Sequence, residues 1–131
     1  MDDLIAYDAL GMTELVFKGD ITPLELVEAT IQRIEAINPL LNAVISRSYE
    51  RAREQATNWM RREPRWRGGR PLFAGIPFLL KDLLAECEGT PLREGSRALA
   101  GYVSGTTSEL VRRQVNAGLI ILGKTNTPEF G

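Results

Sequence analysis

Leu119-Ile120-Ile121-Leu122 is an uninterrupted run of large apolar side chains set between Gly118 and Gly123. A strand with one wet face alternates apolar and polar residues. A run without alternation is the pattern of a strand covered on both faces. Such a strand needs packing layers on both sides, so this segment commits the chain to a layered α/β fold. A second short apolar run, Ile76 to Leu80, follows Gly75 and stops abruptly at Lys81-Asp82. It reads as a buried strand whose last residues leave the core. A lysine at that point is costly unless its amine reaches water or a partner.

Helical patterns fill most of the remaining chain. Residues 3–18 read as broken-helical, with Gly11 interrupting the first turns and Gly19 closing the segment at C′. The best-specified helix runs from Ile21 to Ile37. Thr22, Pro23 and Glu25 stand at N-cap, N1 and N3, a capping box with proline at its preferred place. Ile21 and Leu26 form the staple pair, and Leu24, Val27, Ile31 and Ile34 form one apolar stripe. Asn38-Pro39 is expected to end it.

Asn42 to Ile45 is a short strand candidate. Ser48 to Arg62 returns to helix, with Ala52, Ala56, Trp59 and Met60 on its apolar side. Glu63 to Arg70 reads as a solvated loop rich in arginine, and Glu86 to Ala98 as an irregular segment with Gly89, Pro91 and Gly95. Thr106 and Glu109 suggest a second capping box, opening a helix to Ala117 with Leu110, Val111 and Val115 as its stripe and Gly118 at C′. Only about three strands are visible, fewer than a doubly covered sheet usually has, so the chain reads as the front portion of a larger domain.

Composition removes several chemistries. The 16 Lys and Arg balance 17 Asp and Glu, a formal net charge of −1. Nothing electrostatic recommends nucleic acid or an anionic membrane as a partner. No apolar run approaches the roughly 20 residues that cross a bilayer, and the acidic start MDDLIAYDAL lacks a signal peptide's basic flank. A cytoplasmic protein is the expectation. Cys87 is the only cysteine, so neither an intrachain disulfide nor a multi-cysteine zinc site can form. There is no histidine. Ser-His-Asp and Cys-His catalysis and His-ligated metals are therefore outside this chain's own means. A general base here must be Lys, Asp, Glu or Tyr.

Gly118 to Thr125, GLIILGKT, satisfies the P-loop pattern G-x-x-x-x-G-K-[ST] letter for letter. A phosphate cradle needs its variable residues in a loop between a strand and a helix. Here those residues are the strand itself, and Pro128 follows closely. Nucleotide binding is not expected. Of the serines, Ser46, Ser48, Ser96, Ser104 and Ser108, none lies in G-x-S-x-G and none has a lysine three residues later. Ser48 suits a helix cap, Ser108 the first turn of its helix, and Ser96 a local turn. Cys87 reads as a buried or incidental thiol. Lys81 has two readings. One is a strand-end lysine with its ammonium in water, pairing with Asp82. The other is a desolvated amine that accepts a serine's proton, as in Ser-Lys variants of the catalytic triad.

Three blocks in fixed order, IPFLLKD at Ile76–Asp82, GSRAL at Gly95–Leu99 and AGLIILGKTNTPEFG at Ala117–Gly131, resemble the amidase signature family. Ile21 to Val44 is similar to that family's helical N-terminal region. The resemblance implies an α/β fold with helices packed on a mixed β-sheet, of which this chain is the N-terminal part. It implies that residues 1–131 are the N-terminal portion of a single amidase domain, with 1–70 a mainly helical region and 71–131 the first sheet strands and the catalytic-lysine region. It implies hydrolysis of a carboxamide carbon–nitrogen bond by a Ser–cis-Ser–Lys triad, without cofactor or metal. The triad lysine matches Lys81. Both triad serines belong to a Gly/Ser-rich segment that follows the GKTN block in the family and is not among these residues, so the 131-residue chain alone is expected to be inactive. A small-molecule amide is the expected substrate of the complete enzyme, and self-association through an exposed sheet edge is expected of the chain. Two alternatives stay open: a fragment of the glutaminase subunit of a tRNA-dependent amidotransferase, and a non-catalytic truncated gene product.

Overall fold

The computed structural model describes residues 4, 6–62 and 69–131. The loop expected at Glu63–Arg70 lies, up to residue 68, outside the described residues, as does the side chain of Met60. Helix α1 (Ala9–Lys18) begins at Asp8, whose carboxylate accepts the Gly11 N–H. Gly11 therefore sits inside the first turn instead of breaking it. Gly19 closes the helix in the left-handed conformation.

Helix α2 (Pro23–Leu41) carries the expected capping box: Glu25 N–H donates to the Thr22 hydroxyl, and Thr22 N–H to the Glu25 carboxylate. It does not stop at Asn38-Pro39. Pro39 lies inside the helix, and Asn42, with left-handed backbone, closes it four residues after Asn38. The Asn38 amide explains the extension, since it both donates to and accepts from the backbone of Val44 and ties the last turn to the strand that follows. That strand, β1, spans Val44–Arg47, two residues later than the sequence suggests.

Helix α3 (Tyr49–Arg62), β2 (Ile76–Lys81), a 3-10 turn (Arg97–Leu99), α4 (Glu109–Asn116) and β3 (Leu119–Thr125) complete the described elements. The second capping box is not formed. Ser108 is the N-cap of α4 and accepts the Val111 N–H, while the Thr106 hydroxyl donates instead to Glu86. Of the stripe expected on α4, only Val111 is buried. Leu110 is 58% and Val115 40% exposed, because this two-turn helix meets the sheet along a single ridge.

The three strands form one mixed sheet in the order β1-β3-β2, with β1 antiparallel and β2 parallel to β3. The apolar run is the central strand. Ile120 and Leu122 pack with Val27, Ile31, Ala52 and Ala56 of α2 and α3, whereas Ile121 packs with Leu80, Cys87 and Val111 on the opposite face. Full burial of each such side chain contributes about 1.5–3 kcal/mol, so β3 is the element both layers share. A third cluster, Val16, Leu26 and Ile76, holds α1 and α2 against the start of β2. Ile21 packs against it, completing the staple.

Candidate active-site edge at the ends of the parallel strands

Parallel strands gather their C-terminal ends on one edge, and in open α/β sheets that edge is where ligands bind. Lys81 ends β2 and is paired in register with Thr125, which ends β3. The Lys81 side chain is exposed there. Asp82, the next residue, turns inward and is only 2% exposed. Its N–H donates to the Thr125 carbonyl at 3.0 Å, carrying the ladder one residue past the strand. Its carboxylate accepts the Arg93 N–H, with 3.3 and 3.2 Å to its two oxygens.

The segments leaving β2 and β3 are joined to each other. Ser96 donates its hydroxyl to Glu129 at 2.7 Å, Phe130 N–H donates to the Glu94 carbonyl, and Leu84 N–H to the Glu94 carboxylate. At Gly95 a Cβ atom would lie 2.7 Å from the Thr127 carbonyl oxygen, so only glycine lets the two segments meet. The irregular loop beyond Asp82 is thus docked onto the strand ends around Lys81.

Sequence reasoning missed Lys124. It lies directly after the apolar run, it is 1% exposed, and its ammonium is 3.9 Å from the Asp82 carboxylate. Asp82 therefore pairs with Lys124, and not with Lys81 as one of the two readings of that lysine has it. Among the described residues the Lys124 ammonium has no hydrogen-bond partner. Burial pushes this amine below the ordinary lysine range, and the Asp82 charge opposes that shift. No signal in the letters marks it: the strand continues past the apolar run because Thr125 pairs with Lys81, a register that only the assembled sheet reveals.

A bulge decides which way Lys124 points. Phe78 faces Ile121 in the register but Leu79 faces Gly123, so β3 carries one extra residue. Unbroken alternation after Ile120 and Leu122 would send Lys124 to the α2/α3 face. The extra residue turns it to the other face, beside Asp82. Gly123 is required at this point: a Cβ there would lie 2.0 Å from the Ser46 carbonyl oxygen of β1. Gly118 is similarly pressed against Phe73 and Ala74. Both glycines of GLIILGKT serve chain packing, and its middle residues are strand, as expected.

None of the serine hydroxyls whose surroundings are defined engages Lys81. Ser96 caps the 3-10 turn and binds Glu129, Ser108 caps α4, and the Ser104 hydroxyl is buried without a partner among the described residues. Cys87 is a buried free thiol.

The family model for amidase matches residues 25–131, which include all of these groups. The chain belongs to the amidase family. Over 126 residues it is 40% identical to a 6-aminohexanoate-cyclic-dimer hydrolase of Paenarthrobacter ureafaciens, a match covering 95% of this chain and 24% of that protein. It is 34% identical over 132 residues to a glutamyl-tRNA(Gln) amidotransferase subunit of Salinispora tropica, covering 99% of this chain and 26% of that one. Among solved structures, a bacterial aryl acylamidase of the amidase signature family superposes with a TM-score of 0.86 at 38% identity, over 95% of this chain and 26% of its own. This amidase-family chain therefore spans about a quarter of the length of the relatives it matches. Its α/β architecture, with helices on a mixed sheet, is the one expected from the sequence. No helix among the described residues is long and apolar enough to cross a membrane.

Proposed function

We propose that this chain supplies the lysine arm of an amide-hydrolysing site, with Lys81 as the base of a Ser–cis-Ser–Lys triad. The observation that carries the reading is the place of Lys81. It projects from the end of a parallel strand, at the sheet edge where ligands bind, within the residues the amidase model matches. In the proposed reaction the neutral Lys81 amine takes the nucleophile's proton through a bridging serine. The serine oxygen attacks the carboxamide carbon, and the proton returns to the leaving nitrogen as the carbon–nitrogen bond breaks. Water then releases the acid. Backbone N–H groups of a Gly/Ser-rich segment would hold the oxyanion.

In this reading residues 1–131 are the N-terminal portion of one amidase domain, and both serines come from a Gly/Ser-rich segment outside them. The substrate class is a small-molecule carboxamide, and the expected location is the cytoplasm. The test is hydrolysis of a simple aryl amide by the purified chain, alone and fused to a polypeptide carrying the Gly/Ser-rich portion of an amidase domain. Turnover is expected only from the fusion, with loss of at least about a hundredfold on Lys81→Ala, the usual scale of a missing general base. Turnover by the 131 residues alone, or a fusion indifferent to Lys81→Ala, would refute the proposal. The similarity to an amidotransferase component favours a second reading, a glutaminase subunit. Activity dependent on partner subunits and a tRNA-linked substrate would select it.

A further inference from the structure

We propose that Lys124 is a positioning residue for Lys81, acting through Asp82. The inference rests on the reading of Lys81 as the amidase base, and it concerns residues that reading leaves without a role.

A buried lysine is expensive unless a partner meets its charge. Lys124 is nearly inaccessible, and the nearest charge is the Asp82 carboxylate at 3.9 Å. Cys87 and Glu86 add electrostatic contributions in the same direction as Asp82. Placing it there takes two coordinated local features. One is the bulge of β3 against β2, and the other is a glycine at 123 that admits the Ser46 carbonyl. An ordinary strand continuation would have cost neither.

The pair acts on the backbone that presents Lys81. Asp82 is held by its N–H to Thr125, by Arg93 to its carboxylate, and by the Lys124 charge. All three holds apply to the residue next to Lys81, which strand alternation directs the other way. Anchoring Asp82 inward fixes the direction in which Lys81 leaves the sheet. Lys124 also balances the carboxylate nearest in sequence to the Lys81 amine. Without Lys124, the Asp82 charge one residue away in sequence would stand unopposed.

The chain has only three lysines, Lys18, Lys81 and Lys124, so site-resolved amine labelling is direct. The purified chain is treated briefly with an amine-acylating reagent at pH 8, and modification at each lysine is followed by peptide mass spectrometry. Only a free amine reacts. In the parent, Lys124 is expected to react at least tenfold more slowly than Lys81. In Lys124→Met, the unbalanced Asp82 carboxylate should slow labelling of Lys81 by about threefold, the effect of a charge several ångströms away in a wet medium. In Asp82→Asn, Lys81 should label faster than in the parent. The neutral pair Lys124→Met/Asp82→Asn should return Lys81 to within a factor of about two of the parent, hence slower than Asp82→Asn, and neutral replacement of a buried pair is commonly tolerated. Opposite changes in the two single variants are the signature of charge balance. Loosened packing would move Lys81 the same way in both. Circular dichroism checks each variant's fold, and the double variant against Asp82→Asn keeps the test open if Lys124→Met alone unfolds. Rapid labelling of Lys124 in the folded parent, or Lys81 rates that shift together, overturns the proposal. None of these outcomes depends on amide turnover, so the amidase reading stands or falls separately.

Discussion

Replacing Gly123 by alanine sets the sheet against the sequence motif. A Cβ at residue 123 would lie 2.0 Å from the Ser46 carbonyl oxygen, 3.1 Å from its carbon and 3.3 Å from Arg47 Cα. Ordinary carbon–oxygen contact begins near about 3.3 Å, so β1 must retreat by more than about 1 Å. The obstacle is backbone on both sides and no side chain can swing away. Two of the bonds that anchor β1 to β3, Ser48 N–H to the Leu122 carbonyl and Asn126 N–H to the Ala43 carbonyl, are both 2.8 Å long. Lengthened by about 1 Å they leave hydrogen-bonding range. Losing these and part of the adjoining ladder costs about 2–4 kcal/mol at about 1 kcal/mol per bond. That is a large fraction of a domain's usual margin of about 5–15 kcal/mol. Urea unfolding followed by circular dichroism should show the loss. Gly105→Ala is the control: nothing lies within 4 Å of its Cβ position, and its stability should stay within about 0.5 kcal/mol of the parent. A Gly123→Ala chain within about 1 kcal/mol of the parent would refute the packing account of this glycine.

Thr22→Ala removes the hydroxyl half of the capping box on α2, leaving the residue 22 N–H bonded to Glu25, and should cost about 1 kcal/mol by urea titration. Because burial lowers the Lys124 amine, the unfolded chain holds more protons than the folded one between that lowered value and the ordinary ~10.4, so stability should rise with pH there. Tyr49 and Tyr102, both raised, act in the opposite sense above about 10. Urea midpoints from pH 8 to 10 should therefore climb in the parent relative to Lys124→Met, and equal slopes would contradict the buried-amine assignment. Below the ordinary glutamate range, Glu28 works the other way. Arg53 holds its carboxyl low, so the stability it adds is lost as pH falls through that lowered value, and Glu28→Gln should flatten the acid limb. Among the described strands β1 and β2 each have one unpaired edge, and β2 should promote self-association, seen as a concentration-dependent elution volume.

Much of this architecture is legible locally. The capping box of α2 involves residues three apart, and the sequence places it correctly. The unalternating run at Leu119–Leu122 announces a strand covered on both faces, and the structure gives it helices on each. Lys81 at the end of an apolar strand was equally visible. What sequence reading misplaced depended on distant partners. Helix α4 starts at Ser108 because Glu86, twenty residues from Thr106, takes that hydroxyl. Helix α2 runs through Pro39 because Asn38 is clamped to Val44. The turning of Lys124 toward Asp82 required a bulge defined by β2 and a glycine demanded by a carbonyl of β1. Caps and hydrophobic periods are set by neighbours within a turn or two, so the chain carries them in its letters. Register, bulges and the pairing of buried charges are set where segments far apart in sequence meet, and only the assembled sheet decides them.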